Sequence, residues 1–397
     1  MHNFIANLKL KKIFTATFTM ILPLEMFFLS ACSTEQTEQA VVSQIDYSSP
    51  SSVLEAANSR NNAISNGDTS NTDDTSTAEI FNPSTTLRSS DIIVEKVDME
   101  TAASNTVITY NSESGLSVPT YVTEIDGLYF IVDCYHDQII YSDSLDTYLS
   151  SWCVLTDSVS QAHTIASDGD VYLVDDTENN RVLVYEKYDG KFINTQVFND
   201  IGSRPHYTVY DEWTDTFYTW SSTTGELYCF RHSEDDTMMY LTEIRSIESL
   251  NGTYVRSFTI IGDYIYFVSG VSSTGEAPSI LCCDLGTLEI LAEYSVPDSM
   301  AGMIQITPIQ DYFYITISTD ITGSQDAATI IRTTSLNNLT TGDYEDIYST
   351  YFVGGGTPYY ISNVGDTYYL TEHRLSDHAV WSFNVIDNEV TNVTAVY

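Results

Sequence analysis

Two histidines, His163 in AHTIA and His206 in PHYTV, each open a short apolar run. A neutral imidazole is both a good metal ligand and a good base near pH 7, so two of them at one mouth would suit a metal site or an acid–base pair. The plainer alternative is that each ring fills the first position of a strand and is hydrogen-bonded to its neighbour. Nucleophilic chemistry has less to work with, because the chain carries no G-x-S-x-G elbow and no Walker loop. There are six cysteines, and setting Cys32 aside leaves Cys134, Cys153, Cys229, Cys282 and Cys283. That odd number, without C-x-x-C spacing, argues against a disulfide framework or a zinc site, and small buried packing residues are the reading for Cys229 and Cys282. Acidic turns such as SEDD and DTENN lack the EF-hand pattern and read as solvated turns. Tyrosine is abundant at 29 residues, and its ring and hydroxyl could floor a glycan or peptide site.

What would hold these residues in place is a repeat. Six segments match one another: GLYFIVDC, DVYLVDDT, DTFYTWSS, DYIYFVSG, DYFYITIS and DTYYLTEH. Taking Phe130, Tyr172, Phe217, Tyr266, Tyr314 and Tyr368 as equivalents, the spacings are 42, 45, 49, 48 and 54 residues. A shorter apolar run precedes each (YVTEI, HTIAS, HYTVY, SFTII, IQITP, YYISN), another follows, and a fourth lies beyond, as in FINTQVF. Four short strands per unit and turns rich in Gly, Asp and Asn predict an all-β, six-bladed β-propeller with four-stranded blades over residues 118–397. Nine residues before each anchor stand Tyr121, His163, Ser257, Gln305 and Tyr359, and a longer turn places His206 at the same level. These six are the candidate ligand-binding residues at the propeller mouth. Tyr121 and Tyr359 are expected to be neighbours across the ring closure, near His163.

The run DGDVYLVDDTENNRVLVY resembles the NHL-repeat family of propellers, specifically in the first two or three blades; the Asp and Asn–Arg features fade in blades four to six. Calcium-dependent gluconolactonases and zinc-dependent amidating lyases resemble this ring. The resemblance implies two tests. The lactonase type needs carboxylates and amides converging on a hard cation at the axis, and the matched level offers no carboxylate. The lyase type needs three inner histidines, whereas Ser257 stands where a third would be. His136 and His373 follow second strands and are not placed in that shell.

The two ends give an address. A basic start and the apolar run IFTATFTMILPLEMFFLSAC, closing on Leu29-Ser30-Ala31-Cys32, resemble a bacterial lipoprotein signal over residues 1–31, with diacylglycerol expected on Cys32. From 32 to 90 the composition is Ser-, Thr- and Asn-rich with only Tyr47 and Phe81 as aromatics, which predicts a disordered tether holding at most a marginal helix at SSVLEAANSR. Residues 91–117 could supply a ring-closing strand from IIVEKVDM or NTVITYN, although blade six already has its own fourth strand in EVTNVTAVY. The formal net charge is −40, and a chain beginning at Cys32 would carry about −42. No basic patch exists to displace counterions from phosphate, so nucleic acid is excluded as a partner. The expectation is a monomeric lipoprotein held outside the bacterial cell membrane by its lipid. Its ring would bind a protein, peptide or glycan with no other cofactor and without catalysis. The alternative is a metal-dependent lyase or hydrolase using His163 and His206 at the axis.

Overall fold

The computed structural model describes residues 45–65 (side chains through 59), 96–233, 236–273, 275–375 and 378–397. The signal, Cys32 and most of the expected tether lie outside these residues. Six antiparallel sheets follow one another. Blade one holds β2 (Pro119–Ile125), β3 (Leu128–Asp133), β4 (Gln138–Ser142) and β5 (Cys153–Thr156). Blade two holds β6 (Ile165–Ser167), β7 (Val171–Asp176), β8 (Arg181–Tyr188) and β9 (Lys191–Phe198). Blade three runs through β10 (Pro205–Asp211), β11 (Thr216–Ser221), β12 (Glu226–Ser233) and β13 (Asp236–Ser246). Blade four comprises β14 (Thr253–Ile261), β15 (Tyr264–Ser272), β16 (Ser279–Asp284) and β17 (Ile290–Ser295). Blade five comprises β18 (Met303–Ile309), β19 (Tyr312–Ile317), β20 (Thr329–Thr333) and a two-residue β21 (Glu345–Asp346). Blade six comprises β22 (Thr357–Val364), β23 (Thr367–His373), β24 (Val380–Ile386) and β25 (Glu389–Ala395). The predicted six-bladed ring is the fold.

The second strands read as unbroken apolar runs because they are buried on both faces. Every residue of β7 is buried, and Tyr172, Tyr266 and Tyr314 at the anchor position are among the largest fully buried side chains. The Asp and Asn–Arg motif has a mechanical role. Asp176 closes β7, accepts a hydrogen bond from the Ser160 amide at 2.7 Å, and is held by Asn179 at 3.0 Å and Arg181 at 2.5 Å. Asn180 takes the left-handed conformation at φ 51° that the tight turn into β8 requires. In blade one Asp133 accepts from Ser117 N at 2.6 Å, and in blade three Ser221 accepts from Ser203 N at 2.8 Å. In blades one to three the clamp thus ties the incoming loop to the second strand of its own blade.

Closure comes from the C-terminal end. Thr371 Oγ1 donates to Thr120 O at 2.7 Å and Ser362 Oγ to Val122 O, joining blade six to blade one. Tyr397 then reaches blade one, accepting from Trp152 Nε1 at 3.1 Å and donating to Leu145 O at 2.6 Å. The possible ring-closing strand from 91–117 is corrected: NTVITYN does form a strand, β1 (Thr109–Tyr110), but it pairs with β5 on the outer edge of blade one. A short helix, α2 (Met99–Asn105), leads into it and rests on blade two, where Lys191 Nζ donates to Ala103 O at 2.8 Å.

The tether boundary is corrected as well. Residues from Ile45 onward are docked on the ring, and α1 (Pro50–Ser65) replaces the expected marginal helix. Pro50 opens it, where its missing N–H costs nothing. Ile45, Tyr47, Val53 and Leu54, the few apolar residues of IDYSSPSSVL, pack against blades four and five, and Val53 is fully buried. Leu336 N donates to Ser48 O at 2.9 Å, Tyr266 OH to Tyr47 O at 2.8 Å, and Ser51 Oγ to Asp311 at 2.7 Å. Gly262 sits directly beneath the helix, where a Cβ would lie 2.6 Å from that of Ala57. Composition missed this strap because four apolar contacts suffice when the ring supplies the other surface. Among the described residues no helix is long and apolar enough to cross a membrane.

Changing Val53 to Asp removes roughly 2 kcal/mol of apolar burial and charges the contact. We expect proteolytic nicking between residues 45 and 59 to accelerate at least tenfold while the ring's own melting transition stays within a few degrees. Unchanged nicking would contradict the docked strap.

Candidate functional site

Inner strands start at one end of the ring, which is also where second strands finish. This end is the mouth, and the opposite end carries the turns between first and second strands. At the mouth the imidazoles of His163 and His206 stack face to face, with centroids 3.6 Å apart and planes 27° apart. Tyr359 continues the stack at 5.9 Å from His163. Both histidines and Tyr359 are buried.

The hydrogen-bond network assigns the protons. Thr177 Oγ1 gives its own proton to Pro205 O at 2.7 Å, so His163 Nδ1, at 2.9 Å from Oγ1, must donate. Nε2 of His163 then accepts from the Cys134 thiol at 3.8 Å. His206 Nδ1 faces the Arg256 carbonyl at 3.0 Å and donates, leaving Nε2 to accept from Tyr359 OH at 3.4 Å. Burial, reinforced by the guanidinium groups of Arg204 and Arg256, pushes His163 down to about 3. Burial, His163 and the same arginines hold His206 well below the usual histidine range. Burial and neighbouring carboxylates raise the Cys134 thiol, so it is no thiolate nucleophile. Beneath the stack Asp175 accepts from His163 N at 2.9 Å and Thr164 N at 2.7 Å, and burial raises it to about 7.

The other predicted residues are close by, but they serve the ring. Ser257 Oγ donates to Ile304 O at 2.6 Å, linking blade four to blade five. Gln305 reaches Tyr207 OH at 3.2 Å and accepts from Ile361 N at 2.6 Å, linking blade five to blades three and six. Tyr121 meets Tyr360 edge-on at 6.3 Å. His136 is paired to Asp133 at 2.6 Å, apart from the stack, whereas the His373 ring lies 6.2 Å from Tyr359. All four imidazole nitrogens of the pair are engaged, and stacked rings point their lone pairs side by side instead of at one ion. Among the described residues no three His, Cys, Asp or Glu side chains gather as a metal site. This donor set does not fit the metal of the lyase or hydrolase alternative.

What surrounds the plugged axis is a collar that the repeat spacing did not single out. Arg204 and Arg256 flank Tyr254, with guanidinium carbons 6.0 and 4.6 Å from its ring centroid. Tyr254 in turn meets His206 edge-on at 5.8 Å. Arg374 follows His373 and is held by Gln325 O at 3.0 Å and Thr357 Oγ1 at 3.4 Å. Arg204 and Arg256 stand two residues before His206 and one before Ser257, so proximity to the inner level was the available signal.

No family model and no curated protein matches the sequence. Among solved structures, the chain is similar to a Bacteroides uniformis protein classed provisionally as a 6-phosphogluconolactonase: 14% identity, TM-score 0.51, covering 72% of this chain and 87% of that one. A Bacteroides fragilis protein with the same provisional class is 12% identical at TM-score 0.51, covering 72% and 86%. At these identities the likeness is one of fold.

The neutral His163 makes a pH prediction. Its unfolded counterpart, near 6.5, takes a proton first as pH falls, so its contribution to stability declines from about pH 6.5 toward its folded value of about 3. Asp175 works in the opposite sense, because its raised value gains protons in the fold. Comparing wild type with His163→Gln cancels Asp175 to first order. The wild type should lose stability relative to the variant between pH 6.5 and 4, and parallel curves would show a charged or exposed ring.

Proposed function

We propose that this chain is a lipid-anchored, extracytoplasmic binding module, similar to NHL-repeat propellers, that presents the collar around its plugged axis to a protein, peptide or glycan ligand. The observation that carries this reading is the placement of two features at opposite ends of the ring. The collar lies at the mouth. The strap touches Gly262, Tyr264, Asp311 and Ser335, which all lie at the far end.

With lipid on Cys32, only residues 33–44 separate the anchor from the docked Ile45. Twelve residues span roughly 40 Å at most, whatever their conformation. Strands of five to six residues are themselves ~17–20 Å long, so the leash holds the strap end nearest the membrane and the mouth one strand length further out. Attachment at the strap end favours a mouth that faces the medium. A closed axis and engaged imidazoles favour recognition at a surface over chemistry in a cavity.

The full chain in vesicles, in a Cys153→Ser background, tests this by energy transfer to an acceptor lipid. A donor at Lys187→Cys, at the strap end, should be quenched more strongly than one at Asn199→Cys, at the mouth end. The reverse order would overturn the orientation, and absence of lipid on Cys32 by mass spectrometry would overturn the anchoring itself.

A further inference from the structure

Seven arginine side chains fall among the described residues, and five of them pair with a carboxylate. Arg181 meets Asp176, Arg204 meets Glu178, Arg231 meets Asp215, Arg245 meets Glu243 and Arg332 meets Glu345. The two that pair with no described carboxylate within 4.0 Å, Arg256 and Arg374, both stand at the mouth. In a chain with 55 acidic and 15 basic residues, this arrangement is unexpected from composition alone. Arg256 is also positioned: it is partly buried, it lies over Tyr254, and its own carbonyl is fixed by His206 and Tyr360.

We infer that Arg256, supported by Arg374 and Arg204, binds a carboxylate of the ligand, and that this ligand is an acidic sugar whose ring lies against the collar's aromatic faces. The inference rests on reading the mouth as the ligand surface. A guanidinium matches a carboxylate through two parallel hydrogen bonds, a geometry that a lysine point charge lacks. Tyr254, which already carries the two guanidiniums, and the exposed Tyr135, also at the mouth end, give the mouth aromatic surface for a sugar. The stacked histidines add no positive charge of their own, and Glu178 already occupies Arg204, so Arg256 and Arg374 are the collar's donor forks that no described carboxylate occupies. The strongly acidic body repels every polyanion, so a trisaccharide with three carboxylates is repelled less than a peptide with five, and its rings add contact area against aromatic surface that a carboxylate side chain lacks.

Titration calorimetry of the full chain with trigalacturonate tests this, beside its neutral methyl ester and a pentaglutamate peptide. We expect trigalacturonate to bind, with affinity falling at least tenfold in Arg256→Gln, by less in Arg256→Lys, and not at all in the distant Lys187→Gln. Equal melting temperatures separate binding loss from misfolding. If the ester binds equally well and Tyr254→Ala abolishes it, the mouth remains the ligand surface and the carboxylate inference is overturned. Binding of pentaglutamate alone, dependent on Arg256, overturns the sugar assignment. Heat from none of the three overturns the inference for acidic sugars.

Discussion

Six sheets set around one axis bring the first residues of six inner strands into one small volume. Water has little room there, so any polar group at that level must find its partner on another blade. This constraint accounts for most of what the mouth contains. His163 and His206 stack and divide their four nitrogens among Thr177, Cys134, Arg256 O and Tyr359. Ser257 and Gln305 become cross-links between blades. A histidine suits this place because, neutral, it is a flat apolar ring with one donor and one acceptor at its edge. The partners that make it a good plug also occupy the nitrogens a metal would need.

Charge is then arranged around the plug. The acidic excess supplies clamps, such as Asp176 with Arg181, that fix the loops entering blades one and two. Cations are scarce, and five of the seven described arginines pair with a carboxylate. Where Arg256 lies over Tyr254 with no described carboxylate beside it, the fold holds a cation ready for an outside partner. Its effect on the histidines is consistent with that placement, since Arg256 contributes to lowering His163, His206 and His373 alike. A local positive site in a negative body favours selectivity over avidity, because a highly charged competitor is repelled before it arrives.

The repeat made the ring legible. Anchor aromatics from Phe130 to Tyr368 fall inside second strands because those strands are buried on both faces and leave an unbroken apolar run. Counting back nine residues found the level of the axis for His163 and Tyr359, and the longer first turn of blade three found it for His206; the three rings meet there. Sequence could not tell a plug from a pocket, since both use the same residue types and differ only in whether neighbours fill the space. Nor did it separate Arg256, which pairs with no described carboxylate, from Arg332, whose partner Glu345 is 13 residues away. The strap escaped for a different reason. Ile45, Tyr47, Val53 and Leu54 are too few to bury one another, and their value depends on a surface formed by blades four and five.

The central claim is that ligand meets this ring at the arginine collar over a closed axis. Side-chain Nε–Hε resonances of arginine, followed in the deuterated full chain as trigalacturonate is added, test it most directly. Arg256 and Arg374 should shift together while Arg332 stays in place. Shifts confined to the strap end of the ring, or none at the mouth at saturating ligand, would contradict it.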